Sequence, residues 1–425
     1  MKRFLVLSIC LVLVLLLVAP AYGQNEKVEL KFFYPVGVAG PLAKVMSDIT
    51  NDFNKAHPEI YVEPIYAGGY HETFTKSMVA ALGKNPPDVA VLTAADIWSS
   101  IDAGIIIPLN DFVEKAGGEE FLDKFQSAFV KDCVIGDHIW AIPYQKSTPV
   151  FYYNKDAFRE VGLDPERPPQ TWWEMLDYAK KLTVVKNGDV ERWGLEIPID
   201  QWLVSAFIMQ NGGRVNNPEG TETYLDSTEA IEALQFVIDL AQTHKIMPPK
   251  RFFGDASSDF VAGKTAMMYN STGGLTFVRE SATFDWNICF LPAGKYRATP
   301  TGGGQFVMFE GIPDSHKEAA WKFITWMTSP ESAARWSMAS GYVAVRKDAF
   351  ETPTMIEYVK EVPQALVARE QLKFALREPP ATHDARKIAR IITIAAEEAL
   401  AGKITAEEAF TRAQREAEEA LKPFK

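Results

Sequence analysis

The chain has 425 residues, too many for one compact core, so two domains are expected. Hydrophobic residues make up 47% and aromatic residues 12% of it, which excludes a disordered chain. With 44 basic and 55 acidic residues its net charge is −11, which argues against nucleic acid as a partner, and three cysteines are too few for a disulfide framework.

Met1-Lys2-Arg3 gives a basic start, Phe4 to Val18 is almost wholly apolar, and Ala21-Tyr22-Gly23 supplies the small residues read by a signal peptidase. Residues 1–23 therefore read as a secretory signal cut near Gly23. The apolar run is shorter than the ~20 residues a membrane span needs, and Ile9 before Cys10 is too large for a lipoprotein cleavage site. Cleavage leaves 42 basic and 55 acidic residues, a net −13, in a periplasmic or extracellular protein. Of the cysteines only Cys133 and Cys289 remain; they form either one disulfide or, as their apolar surroundings favour, two buried thiols.

From Val28 the segment VELKFFYPV alternates as a strand does, and Leu42, Val45, Met46, Ile49 and Phe53 recur at helical spacing behind Pro41. Ile60 to Tyr66 predicts a strand, Glu72 to Leu82 a helix and Asp88 to Leu92 a buried strand. Helices follow at Ala95 to Ala103 and Leu109 to Lys115. STPVFYYNKDAF (147–158) sets a polar start before an aromatic strand, and Thr171-Trp172-Trp173-Glu174 fits a capping box for a helix to Leu182. Further helices are predicted at Gln201 to Gln210 and Thr228 to Gln242, and strands at Thr265 to Tyr269 and Trp286 to Leu291. The Gly-rich TPTGGGQFVMF (299–309) enters another strand, Lys317 to Met327 is helical, and the tail from Asp384 is helical and charged. Strands alternating with helices at these lengths predict an open α/β sheet. The candidate boundaries near Lys146 and Pro300 lack the polar linker that separate domains show, which suits two lobes joined by crossing strands.

Catalytic signatures are absent. His71-Glu72-Thr73-Phe74-Thr75 lacks the second histidine of a zinc-protease motif, and Gly263-Lys264-Thr265 has Ser258 where a phosphate loop needs its first glycine. No GxSxG elbow occurs. A glycosidase needs only two acids at the right separation, and Asp96 and Glu196 are the pair to suspect; a secreted glycoside hydrolase is therefore the alternative reading. Aromatics near predicted loop or strand ends, namely Tyr34, Tyr66, Tyr70, Trp98, Trp202, Tyr269 and Tyr342, suit a cleft that stacks on the apolar face of a sugar. Trp321, Trp326 and Trp336 are assigned to the core.

FNKAHPEIYVEPIY, AGGYHE, NPPDVAVL, STPVFYYNKDAF, GLDPERPPQTWWEMLDYAKKL, FVAGKTAMM, GGGQFVMF, PESAARW and SGYVAVRKDAF occur in an order that resembles the extracellular solute-binding proteins of ABC importers. The likeness is nearest to the branch that binds sn-glycerol 3-phosphate and glycerophosphodiesters. It implies a two-lobed α/β fold of the type II periplasmic-binding class, each lobe an open sheet flanked by helices, with the ligand cleft at the hinge. One lobe would hold 24–146 and 297–345, the other 147–296 and 346–425. The resemblance implies no enzyme activity, no cofactor and no metal. It implies a monomer that captures a polyol phosphate or carbohydrate and delivers it to a membrane permease. Residue by residue, it implies ligand contacts from Tyr70 in GGYHE, Ser147 in STP, Trp202, Ser271 in NSTGG, the amide of Gly303 in TGGGQ, Tyr342 in SGYV, and Arg390 in the C-terminal helical stretch. One position departs: Ala94 stands where the glycerol-phosphate branch has a glutamate, and Asp96 is a candidate substitute. Lys146 beside Ser147 favours an anionic ligand.

Overall fold

The computed structural model describes residues 27–35, 41–249 and 252–425, so the signal segment 1–23 lies outside the described residues. Strand alternation explains β1 (Val28–Tyr34), which buries Leu30, Phe32 and Tyr34 and turns Glu29 and Lys31 outward. The helical spacing read after Pro41 becomes α1 (Pro41–Ala56), which buries Met46, Ile49 and Phe53. β2 (Ile60–Tyr66) lies parallel to β1, with Val28 opposite Ile60. α2 (Tyr70–Leu82) then leads to β3 (Val89–Thr93), an apolar strand buried over Val89–Leu92. α3 (Ala94–Asp102) starts from a reciprocal cap: the Thr93 hydroxyl accepts from Asp96 N, and the Asp96 carboxylate accepts from Thr93 N at 2.9 Å.

β4 (Ile142–Ser147) and β5 (Pro149–Asn154) are separated only by Thr148, yet belong to different sheets. Beyond them come α4 (Trp172–Leu182), α5 (Gln201–Gln210), α6 (Thr228–Gln242), α7 (Phe253–Val261), β6 (Met267–Ser271) and β7 (Trp286–Cys289). β8 (Gly302–Met308), α8 (Asp314–Met327) and α9 (Pro330–Ser340) follow, and the chain closes with α10 (Ala385–Leu400) and α11 (Ala406–Leu421). The first sheet has the order β2-β1-β3-β8-β4, with β8 antiparallel to both neighbours; the second has the order β6-β5-β7 and is antiparallel. This is the expected two-lobed α/β fold.

The first sheet packs on α1, α8 and α9 through rings such as Tyr144, stacked 4.3 Å from Phe306, and Phe323. Against the second lie α4, α5, α6, α10 and α11, with Phe207 and Trp172 at the centre. The chain passes between the sheets at Thr148 and again at Thr299–Pro300, beside which Ala375–Leu376 runs parallel. Hydrogen bonds knit the passage: Thr272 N donates to Thr148 O at 3.1 Å, and Thr301 N to Leu376 O at 2.9 Å.

Two local readings change. Thr171 caps α4, but Glu174 accepts from Gln170 N, so the reciprocal half of the box is displaced by one residue. Trp336 is buried, whereas Trp321 and Trp326 are half-buried at the edge of the core. Cys133 and Cys289 are both free thiols, as their apolar surroundings favour, with Cys133 buried and Cys289 half-buried. Among the described residues no helix is long and apolar enough to cross a membrane.

Candidate functional site

Strand geometry places Ser147 and Lys146 on opposite faces of β4. Ser147 lines a cavity of about 420 Å³ where the chain passes between the sheets. Lys146 points the other way: its ammonium is wholly buried, donating to Asp132 Oδ2 and to Gln305 Oε1, each at 2.8 Å. Burial alone would lower its pKa; Asp132, then Glu378, overcome this and the pKa is raised. Lys146 is therefore a structural cation, and the expectation that it favours an anionic ligand is withdrawn.

The triple glycine beneath the cavity is explained glycine by glycine. A Cβ at Gly302 would lie 2.5 Å from the Trp202 ring, and one at Gly304 would lie 2.4 Å from Val91 and 3.1 Å from the Tyr70 ring. Gly303 has φ +87°, and a Cβ there would stand 1.9 Å from Gln145 O. Glycine is thus demanded by the left-handed backbone at 303 and by aromatic rings seated on the strand at 302 and 304.

Trp202 sits at the start of α5, where Asp200 caps the helix by accepting from Leu203 N at 3.0 Å. Its Nε1–H donates to Thr301 O at 2.8 Å, which fixes the ring against the cavity beside Phe253. From the other side, Tyr70 and Tyr342 meet hydroxyl to hydroxyl at 3.1 Å, and burial raises the pKa of both. Ser271 ends β6; its Oγ accepts from Gly273 N at 3.1 Å while its carbonyl accepts from the Tyr152 hydroxyl at 2.8 Å. The aromatic run after Ser147 thus serves the core and also holds Ser271 in place.

Tyr70, Ser147, Trp202, Ser271, Gly303 and Tyr342 therefore line one cavity, drawn from both sheets. Arg390 is not among them. It lies on a separate depression with Lys387, Glu398 and Arg412. One helical turn earlier, Arg386 donates through Nε to Asp96 Oδ1, lies 5.6 Å from the Phe74 ring, and keeps one buried terminal nitrogen without a partner. Its charge also acts on Glu378, a cavity residue. Of the other aromatics considered, Tyr34 and Tyr269 are core, Tyr66 is exposed, and Trp98 packs on Gly220 and Ala381.

Asp96 is not free to replace the missing glutamate, because Oδ2 is held by the Thr93 cap and Oδ1 by Arg386. It does not line the cavity, and neither does Glu196, so the suspected hydrolase pair is not brought together there. The acids that do line it are Asp200 and Glu378, both missed in the sequence. Asp200 carried a signal, an Asp before an apolar helix; Glu378, between Arg377 and Pro379, carried none. Burial pushes Asp200 up to about 6, although the residue stays partly open. Glu378 is pushed up to about 8 by burial, against the opposing pull of Lys146 and with further push from Asp132 and Asp96; Arg386 lowers it.

Glu378 Oε2 is buried without a partner. The folded chain keeps this proton up to about pH 8, whereas an ordinary glutamate releases it near 4.5. Its contribution to stability is therefore full below pH 4.5 and lost as the pH climbs through 8. Glu378→Gln is expected to flatten that decline in urea-unfolding midpoints measured from pH 5 to 9; an unchanged decline would place its origin elsewhere.

A larger depression of about 790 Å³, lined by Trp172, Trp173 and Phe236, is built only from elements around the second sheet, so an occupant there cannot bridge the two sheets. The cavity at the crossing can. Two lobes, a cleft between them, and stacking rings beside hydroxyls define a solute receptor of the extracellular binding-protein class.

Comparison with known proteins agrees. The family model for bacterial extracellular solute-binding proteins matches residues 48–364, and the chain belongs to that family. The sn-glycerol-3-phosphate-binding periplasmic protein UgpB of Pectobacterium atrosepticum is 27% identical over 376 residues, which cover 84% of this chain and 82% of the relative. The protein of the same name from Escherichia coli is 28% identical over 357 residues, covering 80% and 79%. Among solved structures, UgpB from Mycobacterium tuberculosis in complex with glycerophosphocholine superposes with a TM-score of 0.84 at 25% identity, covering 93% of this chain and 99% of that one. A Listeria monocytogenes substrate-binding protein in complex with cycloalternan shares the fold at a TM-score of 0.81 and 22% identity, covering 93% and 99%.

Proposed function

We propose that this chain is the non-catalytic receptor of an ABC importer, which takes a glycerol phosphate, a glycerophosphodiester or a carbohydrate into the cavity at the crossing and passes it to a membrane permease. The observation that carries this reading is the single cavity drawn from both sheets and lined by Tyr70, Ser147, Trp202, Ser271, Gly303 and Tyr342. A ligand touching both sides stabilises the closed arrangement by its differential contacts. In this reading the lobes divide at 146/147, 296/297 and 345/346, the receptor acts as a monomer, and a signal cut near Gly23 delivers it outside the inner membrane. The relatives' names and the bound glycerophosphocholine support the ligand class. The absence of Asp96 and Glu196 from the cavity removes the residues on which a glycoside hydrolase would have rested.

The test is a thermal-shift series on the mature protein with glycerol 3-phosphate, glycerophosphodiesters, sugar phosphates and oligosaccharides. A true solute at a hundredfold excess over its Kd stabilises by about 2.7 kcal/mol and raises Tm. No shift with any member would reject the ligand class, and turnover of a chromogenic glycoside would reject the receptor.

A further inference from the structure

The cavity at the crossing offers rings, hydroxyls and two acids, and among the described residues no cation is part of its lining. Cations gather next to it. A second cavity, of about 570 Å³, is walled by Lys131, Arg214 and Arg377 with the loop at 213–218 and the tail segment at 376–381. Among the described residues Glu378 is the one acid in its wall, and it also belongs to the wall of the first cavity. In a chain whose net charge is −11, this is a local reversal of sign.

The cations come from three directions. Lys131 follows the short helix Ser127–Val130 beside the first sheet, and Arg214 lies in the loop after α5 beside the second. Arg377 sits on the tail between them. Its guanidinium donates to the carbonyls of Lys131 and Val134, while on the other side Asn216 Nδ2 donates to Ala381 O at 2.9 Å and Asn216 Oδ1 accepts from Ala381 N at 3.1 Å. The tail is thereby stretched between the two sides and fixed at both. Lys131 and Arg214 are exposed, and among the described residues neither is paired with a carboxylate.

We propose that the two cavities form one bipartite site for an elongated anionic solute. The hydroxyl-rich end lies against Trp202, Tyr70, Tyr342 and Ser271, and the phosphate or other anionic group lies between Lys131, Arg214 and Arg377. This rests on the solute-receptor reading and deepens it. A compact solute fits within either cavity alone, whereas two cavities sharing one wall residue favour a longer one. An anion held by Lys131 on one side and Arg214 on the other ties the two sides together, so the basic cavity contributes to closure as well as to affinity. Glu378 at the junction is neutral at pH 7, since burial keeps it protonated up to about pH 8, and so it donates a hydrogen bond to a passing oxygen without repelling the anion. Lys146, Asp132, Asp96 and Arg386 act on its charge, the first two neutralising each other, and Lys131, Arg214 and Arg377 share its wall.

The test is isothermal titration at pH 7 of the unaltered protein and of the double variant Lys131→Gln, Arg214→Gln. The probes are glycerol 3-phosphate, glycerophosphoinositol, trehalose, trehalose 6-phosphate and a uronate-containing disaccharide. Arg377 is left in place because it anchors the tail. The expected result is that the elongated phosphate esters bind more tightly than neutral trehalose, and that the double variant weakens them at least tenfold more than it weakens trehalose. Tight binding of the uronate, lost in the same variant, would identify the anion as a carboxylate and uphold the bipartite site. Equal losses for charged and neutral probes would overturn the proposal. Tight binding of glycerol 3-phosphate with none of the elongated probes would also overturn it while leaving the receptor reading intact. Binding of no probe to the unaltered protein would count against the receptor reading itself.

Discussion

Lys146→Met is expected to cost the protein about 3–5 kcal/mol, because it leaves the fully buried Asp132 carboxyl without its counter-charge. Both side chains are fully buried, and the ammonium divides its hydrogen bonds between Asp132 and Gln305. The damage reaches the cleft, since Asp132 Oδ1 also accepts from Glu378 N at 3.1 Å and so positions the residue shared by both cavities. Removing both charges, as Lys146→Met with Asp132→Leu, is expected to cost markedly less than the single change. Urea unfolding of the unaltered protein and the two variants checks this, and a double variant as unstable as the lysine variant would mean that packing, not charge, dominates.

The second large effect concerns ligand. Trp202→Ala is expected to weaken solute binding by about 2 kcal/mol or more, roughly thirtyfold, since truncating a buried aromatic at the centre of a site removes stacking area and leaves a void. The ring touches Gly302, and its Nε1–H is committed to Thr301 O, so its orientation is set before ligand arrives. Trp202→Phe keeps a flat face but loses that hydrogen bond, and an intermediate affinity is expected. Isothermal titration of the three proteins with the solute found by thermal shift measures this; an unaltered affinity for the alanine variant would remove Trp202 from the site.

Much of the fold was legible because local signals agreed. The strand Ile60–Tyr66 and the helices Gln201–Gln210 and Thr228–Gln242 fall on the residues read from periodicity alone. The stretch 346–383 was not, since its helices Pro353–Glu361 and Gln364–Gln371 are short and take their stability from packing across the crossing, whereas the helical tail from Asp384 was read.

Six of the seven expected site residues converge on one cavity because each sits in a motif at or beside the end of a strand or helix. Arg390 does not, because each residue along a helix turns its side chain by 100° and a small register error moves it to another face. Glu378 was invisible for the opposite reason: nothing local marks it, and only the return of the tail between the sheets brings it to the cleft. Asp96 drew attention as an acid at a strand end, yet the same position makes it a helix cap.

The central claim is that the cleft at the crossing holds a small solute. Native mass spectrometry of the mature protein, purified rapidly from cells supplied with polyol phosphates and sugars, tests it most directly. The account predicts a one-to-one adduct of small mass that is lost on denaturation and absent from Trp202→Ala. The bare chain alone, with no adduct after saturating addition of each candidate solute, would contradict it.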